Sequence, residues 1–390
     1  MQKTKVVLIV LAIIIISGLS GVFTNRYIFP RLAATKFFSK YDFIKKSTED
    51  VTIINKTEQV YVKEDSSINK IVSQATSSVV NITSYAASEK TPAPVAGRNT
   101  TAVMPQSAIR SGTGVIVASD GLVVTYAGAI ILDNAKYKIV TSDNNIYDAT
   151  LLEVDSYSNL AFLKINASNL PVASFANSDD AIPGEKTVAI GDDSPSYAPF
   201  FAAGTLSSFN PYFNLSEKTI ASSEKLEGVF ETDISGQGHY VGGPIVDYSG
   251  QIIGITGVVR RDNEDNFFQI PSNKAKLVID RELRKELSTS VALGVYYLPI
   301  NKAYASINEL ASDAGALIYS PSGQQGLSVI ANSPGDLAGL KINDIITEVS
   351  GEKISSEKSL PDLLYAHKKG ELIELTILRN SKELKLKIQM

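Results

Sequence analysis

From residue 60 to about 287 the chain is a succession of short apolar runs separated by turn residues, without regular helices between them. That pattern argues against a βαβ build and requires strands to pair with near neighbours, as in an all-β sandwich or barrel. Asp120-Gly121 joins strands expected at 114–117 and 122–125, because such a pair matches the twist of a hairpin. A further strand is expected at 78–84, and a second hairpin from 244–247 through Tyr248-Ser249-Gly250 into 251–256. One helix precedes the strands: Ile68, Ile71, Val72 and Ala75 repeat at helical spacing, with capping candidates at 65–67. Another closes the region after Ser272, using Leu277, Val278, Leu283 and Leu287. Residues 88–110 carry no periodicity and read as a long loop.

Ahead of this region, residues 6–24 (VVLIVLAIIIISGLSGVFT) contain no charge. At about 1.5 Å per residue, a helix of that length crosses a hydrocarbon core of about 30 Å. A cleaved secretory signal is the alternative, since Lys3 and Lys5 give it a basic start, but no small-x-small cleavage site follows. The expected division is a membrane anchor at 1–25, a juxtamembrane linker at 26–59, a barrel domain at 60–287 and a second domain at 291–390. Residues 27–46 interleave aromatic and basic side chains, which suits either an interfacial segment or a continuation of the anchor helix. Counted alone, the basic residues beyond the apolar run would hold the large domain in the cytoplasm.

Residue types remove several functions. Lys+Arg 37 against Asp+Glu 41 leaves a net charge of −4, without the basic domain of a nucleic-acid binder. Cysteine is absent, which excludes disulfides, zinc-thiolate sites and cysteine nucleophiles. His239 and His367 are the only histidines, and no metal-ligand spacing or phosphate loop occurs, so no cofactor or metal is expected.

Four separated segments carry a resemblance: SGTGVIVASDGLVVTYAGAI (111–130), DSYSNLAFLKI (155–165), ETDISGQGHYVGGPIVDYSGQIIGI (231–255) and FFQIPSN (267–273). In that order they resemble the Deg/HtrA serine proteases. The resemblance implies a mainly β fold, a trypsin-like double β-barrel followed by a small α+β PDZ domain, here preceded by one N-terminal transmembrane helix. It also implies a Ser-His-Asp triad with a backbone oxyanion hole.

Carried over position by position, the triad is missing. The family's T-x-x-H-V is Thr125-Tyr126-Ala127-Gly128-Ala129, so Gly128 stands where the base belongs. The Asp before Leu-Ala is Asn159, and G-N-S-G-G-P is His239-Tyr240-Val241-Gly242-Gly243-Pro244, with Val241 at the nucleophile. No histidine precedes His239, so no shift of register supplies the usual base. Because triad members act as a unit, one loss costs on the order of 10⁴–10⁶ in turnover. His239 also replaces a glycine of the remnant oxyanion loop, and Tyr240 and Val241 are expected to fill the cleft with apolar volume. Two readings of His239 stand: a relocated base for Ser235 or Ser249, or a loop side chain that packs nearby. Asp155 and Asp233 read as strand-end or turn carboxylates rather than an acid–base pair.

The carboxyl-terminal region resembles a PDZ domain. Ala292-Leu293-Gly294-Val295 matches the carboxylate-binding loop, and 326–330, 333–335 and 338–346 match the strand, turn and helix that follow. Leu360, Leu363, Leu364 and His367 share a helical face that Gly370 ends. Ile373, Leu375 and Ile377 alternate in one strand and Leu384, Leu386 and Ile388 in another, about Asn380-Ser381. The resemblance implies a peptide adding as a strand along 295–298, its terminal carboxylate on the amides of Leu293, Gly294 and Val295, beside Tyr296, Leu360 and Leu364. The plainer reading is an ordinary buried strand and a docking domain.

Together these readings imply a membrane-anchored, inactive HtrA-like protein that binds unfolded polypeptides or protein C-termini as regulator, adaptor or holdase. The resemblance would place its domains outside the cytoplasm, as a homotrimer or in mixed assembly with an active relative. The alternative is an active serine-type endopeptidase with a rearranged site.

Overall fold

The computed structural model describes residues 64–86, 109–191, 199–216, 218, 220–287 and 291–390, with scattered positions between 13 and 31. The expected loop at 88–110, the 26–59 linker and the anchor therefore lie largely outside the described residues. The chain divides into two units, Met1–Val62 and Lys63–Met390. In the first, residues 16–21 are helical with Ile16 and Leu19 exposed. Among the described residues no helix is long and apolar enough to cross a membrane.

The second unit opens with the expected helix, Glu64–Ala75, which buries Ile71 and Ala75. Strands β1 (Val79–Ala86), β2 (Ile109–Ala118), β3 (Leu122–Tyr126), β4 (Ala135–Val140), β5 (Ile146–Val154) and β6 (Leu160–Ile165) follow. They close a barrel in the order β1-β2-β3-β6-β5-β4. The β2–β3 turn needs glycine: Gly121 has φ +94°, and a Cβ there would lie 2.5 Å from the Ile165 carbonyl oxygen. Strands β7 (Lys186–Gly191) and β8 (Phe200–Asn214) begin a second barrel, and the short β9 (Ala221–Ser222) then leaves it. With β10 (Glu227–Thr232), β11 (Pro244–Val246), β12 (Ile252–Arg261) and β13 (Glu264–Pro271), this barrel closes as β10-β13-β12-β11-β7-β8.

The helix Ser272–Leu283 packs on the barrels through Ala275, Val278 and Ile279. Leu277 and Leu283, expected in its buried face, are exposed instead, while Arg281 and Glu282 are buried. The reason is long-range: the Arg281 guanidinium lies 4.5 Å from the centre of the Tyr365 ring and donates to the Tyr365 carbonyl.

The third sheet comprises β14 (Tyr296–Ile300), β15 (Gly315–Ile318), β16 (Ile345–Val349), β17 (Glu352–Lys353), β18 (Leu372–Arg379) and β19 (Lys382–Gln389). Its order is β19-β18-β16-β15-β14-β9, so its outermost strand comes from the barrel region. Asn380 and Ser381, both at positive φ, make the expected turn between β18 and β19. Between β14 and β15 lies one short helix, Lys302–Ile307. The helix Leu360–Tyr365 starts with a capping box between Ser359 and Asp362.

Candidate functional site

Two places gather the chemistry-bearing residues: a cleft between the barrels and the β14 edge of the third sheet. The cleft is about 500 Å³, and Gly128, Asn159 and Val241 all line it, with Tyr126, Val258 and Arg110 among their neighbours. The structure thus brings together the three positions that the sequence pattern selected. Each is held by local contacts unlike those of a triad. A Cβ on Gly128 would lie 3.2 Å from two carbons of the Tyr126 ring, which is 2% exposed and packs edge-on against Phe268. Asn159 sits at φ +59°, accepts from the Lys225 ammonium at 2.7 Å and donates to the Tyr126 hydroxyl at 3.3 Å. Val241 precedes Gly242, whose φ of +83° leaves no room for a Cβ, since Thr125 Oγ1 would be 2.2 Å away.

The remnant oxyanion loop is a tight helical turn, Gln237–Tyr240. In it the His239 amide donates to the Gly236 carbonyl at 3.0 Å and so is turned away from any ligand. Tyr240 does not fill the cleft as expected. The same turn sends its ring into a cluster with Ala189, Ile234, Ile245 and Ile253, and the cleft stays open. The exposed His239 ring lies 5.9 Å from that of Phe200. The Ser249 hydroxyl donates to Asp247 at 2.7 Å within its hairpin turn. Asp155, buried, accepts from the amide and hydroxyl of Ser158 at 2.8 and 2.6 Å. Asp233 accepts from Thr205, whose amide holds its carboxyl below the ordinary range. Asp155 follows the end of β5 and Asp233 the end of β10, so both are strand-end carboxylates, one of the two places the sequence suggested.

At the other place, the β14 edge is covered. Ser222 stands opposite Tyr296 and Ala221 opposite Tyr297 in antiparallel register, so the strand expected to receive a peptide already has a partner. The Ser223 amide donates to the Val295 carbonyl at 3.0 Å, and the Val295 amide donates to Ser223 Oγ at 3.1 Å. The Gly294 amide, assigned to a terminal carboxylate, donates to Glu224 Oε1 at 2.7 Å. Leu293, Val295, Leu360 and Leu364 are brought together as expected, in one buried cluster that also contains Ala221. His367 pairs with Glu371 at 2.8 Å. Nothing local in Ala221-Ser222-Ser223-Glu224 marks it for this edge, and sequence reasoning missed it.

The helix Leu360–Tyr365 is also tied to the barrels. Asp362 accepts from the Tyr157 hydroxyl and from Lys274 at 2.9 Å, and the Tyr365 hydroxyl donates to Asp155 at 3.0 Å. The Tyr157 and Tyr365 rings stack with centroids 4.1 Å apart. Burial, followed by the Asp362 charge, holds the Tyr157 hydroxyl well above its ordinary pKa, so it stays a donor. Beside them Glu227 accepts from the Tyr297 hydroxyl, and burial pushes its carboxyl up to about 7.

The trypsin-like peptidase domain family matches residues 112–255 and the PDZ domain family residues 299–390. A probable periplasmic serine endoprotease, DegP-like, of Chlamydia pneumoniae is 29% identical over 289 residues, 73% of this chain and 56% of the relative. Serine protease HTRA1 of Xenopus tropicalis is 28% identical over 283 residues, 71% of this chain and 59% of the relative. The chain thus spans little more than half the length of these curated relatives. Among solved structures, the HtrA-type protease AlgW with decapeptide aligns over 82% of this chain and 97% of its own, with TM-score 0.61 and 22% identity. That likeness speaks for the fold.

Proposed function

The chain belongs to the Deg/HtrA family, and we propose that its barrels no longer cut peptide bonds while its PDZ domain binds peptide C-termini. One observation carries the first half: Gly128, Asn159 and Val241 line a single cleft, and none can take a proton from a hydroxyl. A serine hydrolase needs a nucleophile within hydrogen-bond reach of a base, and two oriented amides for the oxyanion. Here the amide of His239 already bonds Gly236. The second half draws on the PDZ match, on the peptide-bound AlgW structures and on the convergence of Leu293, Gly294, Val295, Leu360 and Leu364.

We further infer a retained anchor at 1–25 and a linker at 26–59, with residues 60–287 and 291–390 outside the cytoplasm. The uncharged 6–24 run and the periplasmic names of the bacterial relatives support it. The protein would then be a single-pass adaptor, regulator or holdase for unfolded chains or protein C-termini.

The relatives' names favour a second reading, a serine endopeptidase with a rearranged site. Its candidate nucleophile Ser249 donates to Asp247 rather than to His239, which weakens it. Labelling with a fluorophosphonate probe, beside Ser235→Ala and Ser249→Ala controls, separates the two. No stoichiometric label is expected; label that either substitution removes would overturn the inactive reading.

A further inference from the structure

We propose that residues 221–224 are an internal ligand of the PDZ groove, and that external ligands are extended C-terminal segments whose α-carboxylate displaces the Glu224 side chain. This rests on the groove being a peptide site, and it adds what occupies that site and what must leave it.

The geometry is that of strand addition from within the chain. β9 runs antiparallel to β14, the direction that brings the C-terminal end of an added strand to the 293–295 loop. Ser223 makes the two contacts to Val295 that anchor such a strand, and Glu224 reaches Gly294 with a carboxylate. Gly294 itself has φ +78°, and a Cβ there would lie 2.2 Å from Ser333 Cβ, so the loop's shape depends on glycine. The Glu224 carboxylate is also oriented by its own strand, accepting from the hydroxyls of Ser222 and Ser223 at 2.7 and 2.6 Å. A carboxylate on a backbone amide is a charge-assisted bond, stronger than a neutral one.

The internal segment also reports what the groove accepts. Ala221 is buried with Leu293, Val295, Leu360 and Leu364, so the position opposite Tyr297 takes an alanine-sized side chain. Ser223 is 3% exposed and supplies a hydroxyl to the Val295 amide. The favoured ligand is therefore a chain ending in small residues, with a free carboxylate in place of Glu224. Tethering gives the internal strand an effective concentration in the millimolar range, so external peptides compete at a disadvantage.

The test uses the full-length chain in detergent and a fluorescein-labelled KTIASS peptide, which copies residues 218–223, as the free acid and as the C-terminal amide. Removing a charge-assisted bond from the internal ligand should tighten acid binding about tenfold or more in Glu224→Ala, with little gain for the amide. The second variant exploits a chain without cysteine. Ser222 and Tyr296 face each other across an antiparallel ladder, within reach of a disulfide, so Ser222→Cys with Tyr296→Cys should crosslink under mild oxidant. The crosslinked protein should lose acid binding, and reductant should restore it. Failure to crosslink, or equal acid affinity in wild type and Glu224→Ala, would overturn the internal ligand. A crosslink that forms without diminishing acid binding refutes the groove as the peptide site, so the two failures are distinguishable.

Discussion

The buried carboxyl of Glu227 makes stability depend on pH in the direction opposite to most carboxylates. It lies where β10 meets the third sheet, facing the Tyr297 hydroxyl on β14, Asp362 on the 360–365 helix and Lys274 on the 272–283 helix. Burial raises its pKa from 4.5 to about 7; Asp362 adds to the rise, and Tyr297 and Lys274 oppose it. Below 4.5 the group is protonated in folded and unfolded chains alike, and its favourable contribution is complete. Between 4.5 and 7 the unfolded chain releases the proton first, so folding loses stability as pH rises. Above 7 both states are ionised, and the whole penalty is present. At about 1.4 kcal/mol per pH unit, the loss across that window is about 3 kcal/mol.

Glu227→Gln tests this directly, because an amide oxygen still accepts from Tyr297 and cannot ionise. The chain has no tryptophan, so urea unfolding is best followed by far-UV circular dichroism, at pH 5 and at pH 8. Relative to wild type, the variant should gain about 2–3 kcal/mol on going from pH 5 to pH 8, since only wild type loses stability there. Comparing the two proteins at each pH cancels the titration of groups they share. A difference that stays constant within about 1 kcal/mol between the two pH values would refute the assignment.

Restoring the triad residues should not restore turnover. In Gly128→His/Asn159→Asp/Val241→Ser the new base meets the Tyr126 ring at 3.2 Å, and the new carboxylate faces the Lys225 ammonium. The His239 amide remains bonded to Gly236. Casein hydrolysis is expected to stay at background; hydrolysis well above it, with fluorophosphonate labelling, would show that the surrounding packing does not forbid catalysis. The anchor and orientation are checked by tagging the C-terminus and treating intact cells with protease. Loss of the tag is expected, and a protected tag would place the domains inside.

What the sequence made legible was local. Asp120-Gly121 and Asn380-Ser381 mark hairpins because a short turn depends on its own backbone angles: the first is a three-residue connection with Gly121 at positive φ, the second a two-residue one. Ile71 and Ala75 mark a buried helix face by spacing alone. The cleft positions were legible for a related reason: Gly242-Gly243-Pro244 fixes the register that puts Val241 at the nucleophile position. What escaped was set by partners far away in the chain. Leu277 and Leu283 look like core residues until Arg281 finds Tyr365 and rotates the helix's buried face. Tyr240 looks like a cleft filler until the turn at Gln237–Tyr240 sends its ring into the barrel.

The largest departure concerns which of the two sites is open. Tyr240 and Val241 in the nucleophile loop suggest a filled cleft, and an intact carboxylate loop suggests a free groove. The structure has them the other way round, and the cause is physical in each case. Replacing a base by glycine removes volume from the cleft, and Tyr240, which could have replaced that volume, is committed elsewhere. The groove presents an unpaired strand edge and loop amides, groups that seek partners wherever one is within reach. Since β9 leaves the second barrel beside that edge, and Glu224 follows it with a carboxylate, the nearest partner is the chain itself. An open edge in one domain and a short polar segment between two strands of another are each unremarkable in sequence; only their adjacency in the fold makes one the ligand of the other.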